Sequence, residues 1–116
     1  MKLDINNDMV KVKLNPLEMI LSFRRSLNIP LERITGVSTE KPGWQWGARA
    51  PGIHIPFLVK MGTYLVSDGR EFWATTIGRP YLVIETEGWN YARIVLTTGE
   101  NRLWAEQIRQ AMQAVK

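Results

Sequence analysis

The residues of this chain that could do acid–base chemistry are few and scattered. The single histidine, His54, has the side chain best suited to a general base or a metal ligand near neutral pH. One imidazole does not make a metal site, and no carboxylate stands at ligand spacing around it. A structural histidine in a loop is therefore the alternative interpretation. An enzyme that uses His54 with a carboxylate requires an acid within hydrogen-bond reach of the ring.

Glu85 and Glu87 are the second candidate for chemistry. They fall on the same face of one predicted strand and could act as paired carboxylates, or they are two solvated acids beside a turn. The serines have no base near them in sequence, and the motifs of nucleophile elbows, zinc proteases and phosphate-binding loops are absent. We therefore predict that the chain is not an enzyme and has neither a metal site nor a cofactor.

The segment from Glu40 to Phe57 is an unusual loop. It holds three prolines, three glycines, two tryptophans and the only histidine. Loops of this length are uncommon in compact domains and are often functional. The tryptophans either fold back as a lid over the core or form a contact surface for a ligand, a lipid interface or another subunit. The candidate partner-binding residues are Trp44, Trp46, Arg49 and His54.

Positive charge is concentrated in the first half of the chain. The net charge is +4, and the segment from Lys11 to Lys60 carries eight lysines and arginines against three acids. Such an excess is compatible with an anionic partner, or it is only a solvated face. The candidate anion- or lipid-binding residues are Lys11, Lys13, Arg24 and Arg25. No motif of a nucleic-acid-binding module is present, so we expect no nucleic-acid partner.

Length and composition predict one soluble domain that covers residues 1–116. Cysteine is absent, which excludes a disulfide framework and fits a reducing cytoplasm. The first seven residues lack the apolar core of a signal peptide, and the most apolar stretch, from Ile53 to Val66, is broken by Pro56 and Lys60. We expect a cytoplasmic protein that could also lie at the membrane surface.

The elements that must position these residues are mostly short strands. Strict alternation from Met9 to Leu14 predicts a half-buried strand, and Asn15 and Pro16 then favour a short helix to about Phe23. The remaining strand predictions, two of them weakly patterned, bring the total to about seven and cover Ser26–Ile29, Thr35–Glu40, Val59–Ser67, Arg70–Thr76, Tyr81–Thr86 and Tyr91–Thr97.

The best-defined element is an amphipathic helix that starts at about Arg102 and runs to the end of the chain. Its polar residues lie on the side opposite an apolar stripe, and Thr98 or Asn101 is placed to cap the start of the helix. The apolar stripe consists of Trp104, Ile108, Ala111, Met112 and Val115. Strands followed by one such helix have few stable packings, so the pattern predicts a mainly β fold that the helix closes.

This order resembles the pleckstrin-homology (PH) fold, in which a C-terminal helix with a buried tryptophan closes a barrel. The helix 102–111 looks like that plug. The segments 27–37, 49–56, 62–64 and 70–73 resemble a group of small uncharacterised bacterial PH-like proteins. The resemblance implies a barrel of two near-orthogonal antiparallel sheets of about seven strands, capped by the helix. It implies no catalytic activity.

The function that we predict from the sequence is therefore that of a non-enzymatic binding module. Protein–protein association, including self-association into a homo-oligomer, is the first hypothesis, through the aromatic loop or an exposed sheet edge. Peripheral binding to an anionic membrane through the basic residues is the second. Headgroup-binding PH domains use basic residues on their first two strands, and Lys11, Lys13, Arg24 and Arg25 are the nearest positions here.

Overall fold

Nine strands, a short 3₁₀ turn and one helix form the part of the chain that the computed structural model describes. That part comprises residues 2–6, 8–14, 26–40, 49–55, 59–66, 69–76 and 78–114, with only the backbone described at 49–55, 59–61 and 66. The predicted short helix from Pro16 to Phe23 lies outside it. The strands are β1 (Lys2–Ile5), β2 (Met9–Lys13), β3 (Ser26–Pro30), β4 (Ile34–Ser38), β5 (Arg49–Ile55), β6 (Val59–Val66), β7 (Gly69–Thr76), β8 (Tyr81–Thr86) and β9 (Arg93–Thr97).

The strands form two sheets. One is a three-stranded antiparallel sheet in the order β1-β2-β3, and the other has six strands in the order β4-β8-β9-β7-β6-β5. The 3₁₀ turn Leu31–Arg33 carries the chain from β3 in the first sheet to β4 in the second. The predicted mainly β architecture is thus confirmed, with nine strands in the described residues rather than about seven.

The prediction of a closed, fully antiparallel barrel is wrong. In the described residues no strand of one sheet pairs with a strand of the other. Moreover, β7 and β9 are parallel, with Phe72 opposite Ile94. The reason is that the β8–β9 hairpin docks with β9 innermost, beside β7, so that β9 lies in the middle of the sheet. This suits its sequence, since four of its five residues are buried.

β6 and β7 form an antiparallel hairpin. Val66 pairs with Gly69, and the register continues to Val59 opposite Thr76. Gly69 has a φ of +132°, a conformation that a side chain would strain. The sequence predicted the bounds of both strands to within one residue, whereas their register is seen only in the structure.

The C-terminal helix, α1 (Asn101–Ala114), closes one side of the core. Ile108 and Ala105 are fully buried, whereas Trp104 is only half-buried and packs against the core from its side. The predicted apolar stripe therefore identified the docked face of the helix. It overestimated the burial of Trp104 and did not include Ala105. Asn101 Nδ2 donates a hydrogen bond to the Tyr81 carbonyl at 2.7 Å and so joins the start of the helix to β8.

The main core lies between the inner faces of the two sheets and the helix. The three-stranded sheet contributes Val10, Val12, Leu27 and Ile29, which alternate with outward-facing polar residues. The six-stranded sheet contributes Phe72, Ala74, Leu82, Ile84, Ile94 and Leu96, and the helix adds Ala105 and Ile108. This alternation fixes which side chains of each strand remain available for binding.

Candidate binding surfaces

The residues of the aromatic loop are only partly described. Trp44 and Trp46 lie outside the described residues. Arg49 and His54 belong to β5, which is a strand at one edge of the six-stranded sheet rather than irregular loop. The register places Arg49 opposite Tyr64 and His54 opposite Lys60. Pro51 and Gly52 interrupt the strand pattern in the sequence, and the register shifts between Arg49 and Gly52 for the same reason.

The outer face of the six-stranded sheet carries a buried polar cluster that the sequence analysis missed. Glu71 on β7 is only 4% exposed. Its Oε2 lies 2.9 Å from Nη2 of Arg93 on β9, and its Oε1 accepts a hydrogen bond from the Trp73 indole at 3.0 Å. The Trp73 ring in turn meets the edge of Tyr64 on β6. Glu71 thus forms an ion pair with Arg93 and accepts a hydrogen bond from Trp73, which indicates a structural role.

A register row connects this cluster to the edge of the sheet. One residue from each strand lies in the row, which consists of Arg49, Tyr64, Glu71, Arg93, Glu85 and Gly36. In the sequence, the alternation along each strand indicates which of its residues share a face. Which residues of neighbouring strands lie in one row becomes clear only once the parallel β7–β9 pair is known. Cross-strand neighbours on one face interact, and the charges of Glu71, Arg93 and Glu85 alternate in sign along this row.

The candidate pair of carboxylates is separated by the end of a strand. Glu85 is the last but one residue of β8, whereas Glu87 lies in the following turn, where its amide donates to the Arg33 carbonyl at 2.9 Å. Both residues are exposed. The expectation that they share one face of a strand is therefore wrong, because β8 ends at Thr86 and the chain turns there.

The turn after β8 forms an aromatic and basic surface, here named the Trp89 surface and defined by Leu65, Arg70 and Trp89. Arg70 and Trp89 both cover the ring of Tyr91. The Arg70 guanidinium carbon lies 5.8 Å from the ring centroid, and the Trp89 ring lies at the same distance. Leu65 is opposite Arg70 in the hairpin register and is 43% exposed. Leu65 thus lies opposite an arginine that, like the half-buried Trp89, packs on the ring of Tyr91.

A second guanidinium lies beside this surface. Gly88 has a φ of +69°, and a Cβ placed on it would be 2.9 Å from Nη1 of Arg33. The glycine therefore both makes the turn and leaves room for the arginine. Arg33 and Arg70 are exposed, and neither forms an ion pair with any described residue.

The predicted basic residues are split between the described and undescribed parts. Arg24 and Arg25 lie outside the described residues. Lys11 and Lys13 are on β2, and their side chains share the outer face of the three-stranded sheet, where Lys13 is exposed and Lys11 half-buried. Lys2 on β1 lies directly opposite Lys13, which adds a third lysine that the sequence analysis did not select.

Three of the four edge strands, β3, β4 and β5, carry features that oppose pairing with another strand. β3 ends in Pro30, β5 contains Pro51, and the Val37 carbonyl of β4 accepts a hydrogen bond from Arg109 Nη2 at 3.0 Å. Prolines and covered edge groups are features by which proteins prevent edge-to-edge pairing. At these three edges, binding by the outward side chains is therefore better supported than strand addition.

The described residues contain no cluster of three His, Cys, Asp or Glu residues arranged to hold a metal ion. None of their helices has the length and apolar character needed to cross a membrane.

Comparison of the chain with models of protein families, with curated proteins and with solved structures found no match. The surfaces described here are thus the basis on which a function can be argued.

Proposed function

We propose that the protein is a non-enzymatic binding module whose protein-binding site is the Trp89 surface. The observation that carries the proposal is that exposed Leu65 and Arg70 and half-buried Trp89 lie around the buried ring of Tyr91. Tryptophan and arginine dominate the energetic centres of protein interfaces, because they combine apolar area with directed polar contacts.

The rigidity of this surface supports the same proposal. The Tyr91 ring is 1% exposed and packs edge-on against Phe72, with the ring centroids 5.7 Å apart. Its hydroxyl lies 3.3 Å from Thr63 Oγ1, and the Ala92 amide donates to the Arg70 carbonyl at 2.7 Å. A partner would therefore meet side chains that are already held in place, which lowers the entropy lost on binding.

Charge indicates the kind of protein that fits. Arg33 and Arg70 place two guanidinium groups beside Trp89 without a described acid to neutralise them. A symmetric pair of copies would bring like charges together, whereas an acidic partner would form charge-assisted hydrogen bonds. An acidic protein segment is thus favoured over a second copy. Self-association through Trp44 and Trp46 remains a prediction that concerns residues outside those described.

The relation to pleckstrin-homology domains also remains a proposal. The mainly β architecture and the docked C-terminal helix support it. The parallel β7–β9 pair and the two separate sheets differ from the closed antiparallel barrel that the resemblance implied. The proposed function therefore depends on the surface residues and not on the family.

The test uses the two large apolar side chains that are exposed among the described residues. A photo-crosslinking amino acid replaces Leu65 on the Trp89 surface in one variant and Leu103 on the helix, which is 50% exposed, in the other. After irradiation in cells of the source organism, we expect protein adducts from position 65 and none from position 103. Adding Arg70→Glu should lower the yield at position 65 at least about fivefold, since interface arginines are often energetic centres.

The mass of the adduct identifies the partner. A product of twice the chain mass from position 65 would mean that a second copy occupies the surface instead of an acidic protein. Equal adducts from both positions, or adducts that Arg70→Glu leaves unchanged, would contradict the proposal. Light scattering of the purified protein over a range of concentrations gives the solution mass independently.

A further inference from the structure

The free edge of β1 differs from the other sheet edges of the described residues. β3 and β5 contain prolines, and an arginine of the helix covers part of β4. β1 has the sequence Lys2-Leu3-Asp4-Ile5, without a proline, and pairs only with β2 in the described part of the chain. Unpaired edge groups are a template for another strand. The sequence analysis did not predict β1, so this edge is known only from the structure.

The backbone groups of Leu3 and Ile5 are directed to this edge. The Asn6 amide donates to the Met9 carbonyl at 3.1 Å, and this pair continues the β1–β2 register. Hydrogen-bonded and non-hydrogen-bonded pairs alternate along an antiparallel ladder. The even-numbered residues of β1 therefore bond to β2, whereas the N–H and C=O groups of Leu3 and Ile5 point away from it. Neither residue has a backbone hydrogen bond to another described strand or turn.

From this edge we infer that two copies of the chain pair antiparallel through β1, with the two-fold axis at Leu3. Opposed residues share a face of a sheet, so even-numbered residues must lie opposite even-numbered ones if the core side is to remain continuous. One such register places Lys2 of each copy opposite Asp4 of the other. The two neighbouring registers would oppose Lys2 to Lys2 or Asp4 to Asp4, and like charges at opposed positions are destabilising.

The charges within one copy favour the same register. Lys2 lies directly opposite Lys13 of β2, and both are exposed. This like-charge pair is unfavourable in a single chain. In the dimer, Lys2 has a carboxylate on its other side, in a non-hydrogen-bonded pair, where opposed side chains are closest. An edge lysine ordinarily opposes pairing, but here Asp4, two residues away, makes the edge complementary to itself.

The pairing joins the two three-stranded sheets into one sheet of six strands. Leu3 exchanges both outward hydrogen bonds with Leu3 of the other copy, as a two-fold axis requires. The interaction is separate from the proposed function, because the Trp89 surface does not include β1. A strand of four residues forms a small interface, so we expect a weak, concentration-dependent dimer.

Sedimentation equilibrium of the full chain over a range of concentrations tests the dimer. We expect the mass to rise from 13.3 kDa towards twice that value. Lys2→Glu should weaken the dimer about tenfold, because both symmetric pairs become like-charge pairs, and Asp4→Lys should do the same. An equal mixture of the two variants should dimerise again, since each mixed pair then opposes a positive and a negative side chain.

Arg79→Glu is the control for Lys2→Glu, because it changes the net charge equally at an exposed position in the turn after β7. It should weaken the dimer by less than about threefold, since exposed charges that are far apart are screened by salt. A chain that stays monomeric at every concentration would overturn the inference. Equal weakening by both variants would also overturn it, because only the net charge would then matter.

Single cysteines test the register without the charge variants, because the natural chain has no cysteine. With copper phenanthroline as oxidant, a mixture of Lys2→Cys and Asp4→Cys chains should form a disulfide-linked dimer faster than either variant alone, because opposed residues lie within disulfide reach. Faster cross-linking of either variant alone would show another register and contradict the axis at Leu3. These measurements do not involve position 65, so this inference and the proposed function can fail separately.

Discussion

The buried cluster of Glu71, Trp73 and Arg93 shows how single residues are stabilised on the outer face of the six-stranded sheet. A carboxylate that is 4% exposed is tolerated because a guanidinium and an indole N–H both face it. Removing one partner of such a pair leaves an uncompensated charge in a poorly solvated place, and this costs more than the intact pair gains. The cluster therefore specifies which strands are neighbours rather than adding much net stability.

Glu71→Gln should lower the free energy of unfolding by about 3 kcal/mol, because the Arg93 side chain, which is only 14% exposed, then loses its ion-pair partner. Adding Arg93→Met should recover part of this loss, since an apolar side chain replaces the charge. Chemical denaturation of both variants measures the difference. Glu106→Gln is the control, because Glu106 lies 3.8 Å from Arg109 in an exposed pair and its loss should change stability by less than about 0.5 kcal/mol. A double variant less stable than Glu71→Gln would contradict this account.

At the scale of the elements, local patterns identified most strands and the helix. β2 followed from alternation, β6 and β7 were predicted to within one residue, and the bounds of β8 agree with its apolar run. β1 was missed because its four residues include two exposed charges, and β5 because Pro51 and Gly52 resemble loop sequence. These segments become strands only through a neighbour that pairs with them, which is information a local pattern does not contain.

The candidate surfaces were less predictable than the elements. The Trp89 surface joins β6, β7 and the turn after β8, whose proximity depends on the parallel pairing of β7 with β9. Lys11 and Lys13 were selected correctly as one face by their spacing, but Lys2 joined them only through the pairing of β1 with β2. Spacing within one strand is readable from sequence, whereas the order of strands in a sheet is a property of tertiary packing.

The helix provides a direct test at this scale. Ile108 is fully buried against both sheets, whereas Leu103 on the same helix is 50% exposed. Ile108→Ala should reduce the free energy of unfolding by about 2–5 kcal/mol, since it removes buried methyl groups and leaves a cavity. Leu103→Ala should change it by less than about 0.5 kcal/mol. Thermal or denaturant unfolding of the two variants checks the difference, and equal losses would show that the helix docks on another face.

At the scale of the whole molecule, one core connects the two sheets even though they share no described strand pair. Val12 of the three-stranded sheet, Phe72 of the six-stranded sheet and Ile108 of the helix belong to the same buried cluster. The helix also contacts β1, β4 and β8, which come from both sheets. Because each sheet covers the apolar face of the other, neither can lose its partner without exposing that core to water.

This shared core predicts that the described elements unfold as one unit. The circular dichroism of the helix and the tryptophan fluorescence should give the same denaturation midpoint, as expected for a two-state domain. Val12→Ala and Ile108→Ala change different elements of one core, and each should move both signals together, because removing apolar contacts from either element destabilises the same cluster. If Val12→Ala shifted only one signal, the three-stranded sheet would be a separately melting unit. The three-stranded sheet and the Trp89 surface would then belong to parts of the molecule that can open independently, whereas a single transition would show that they unfold together.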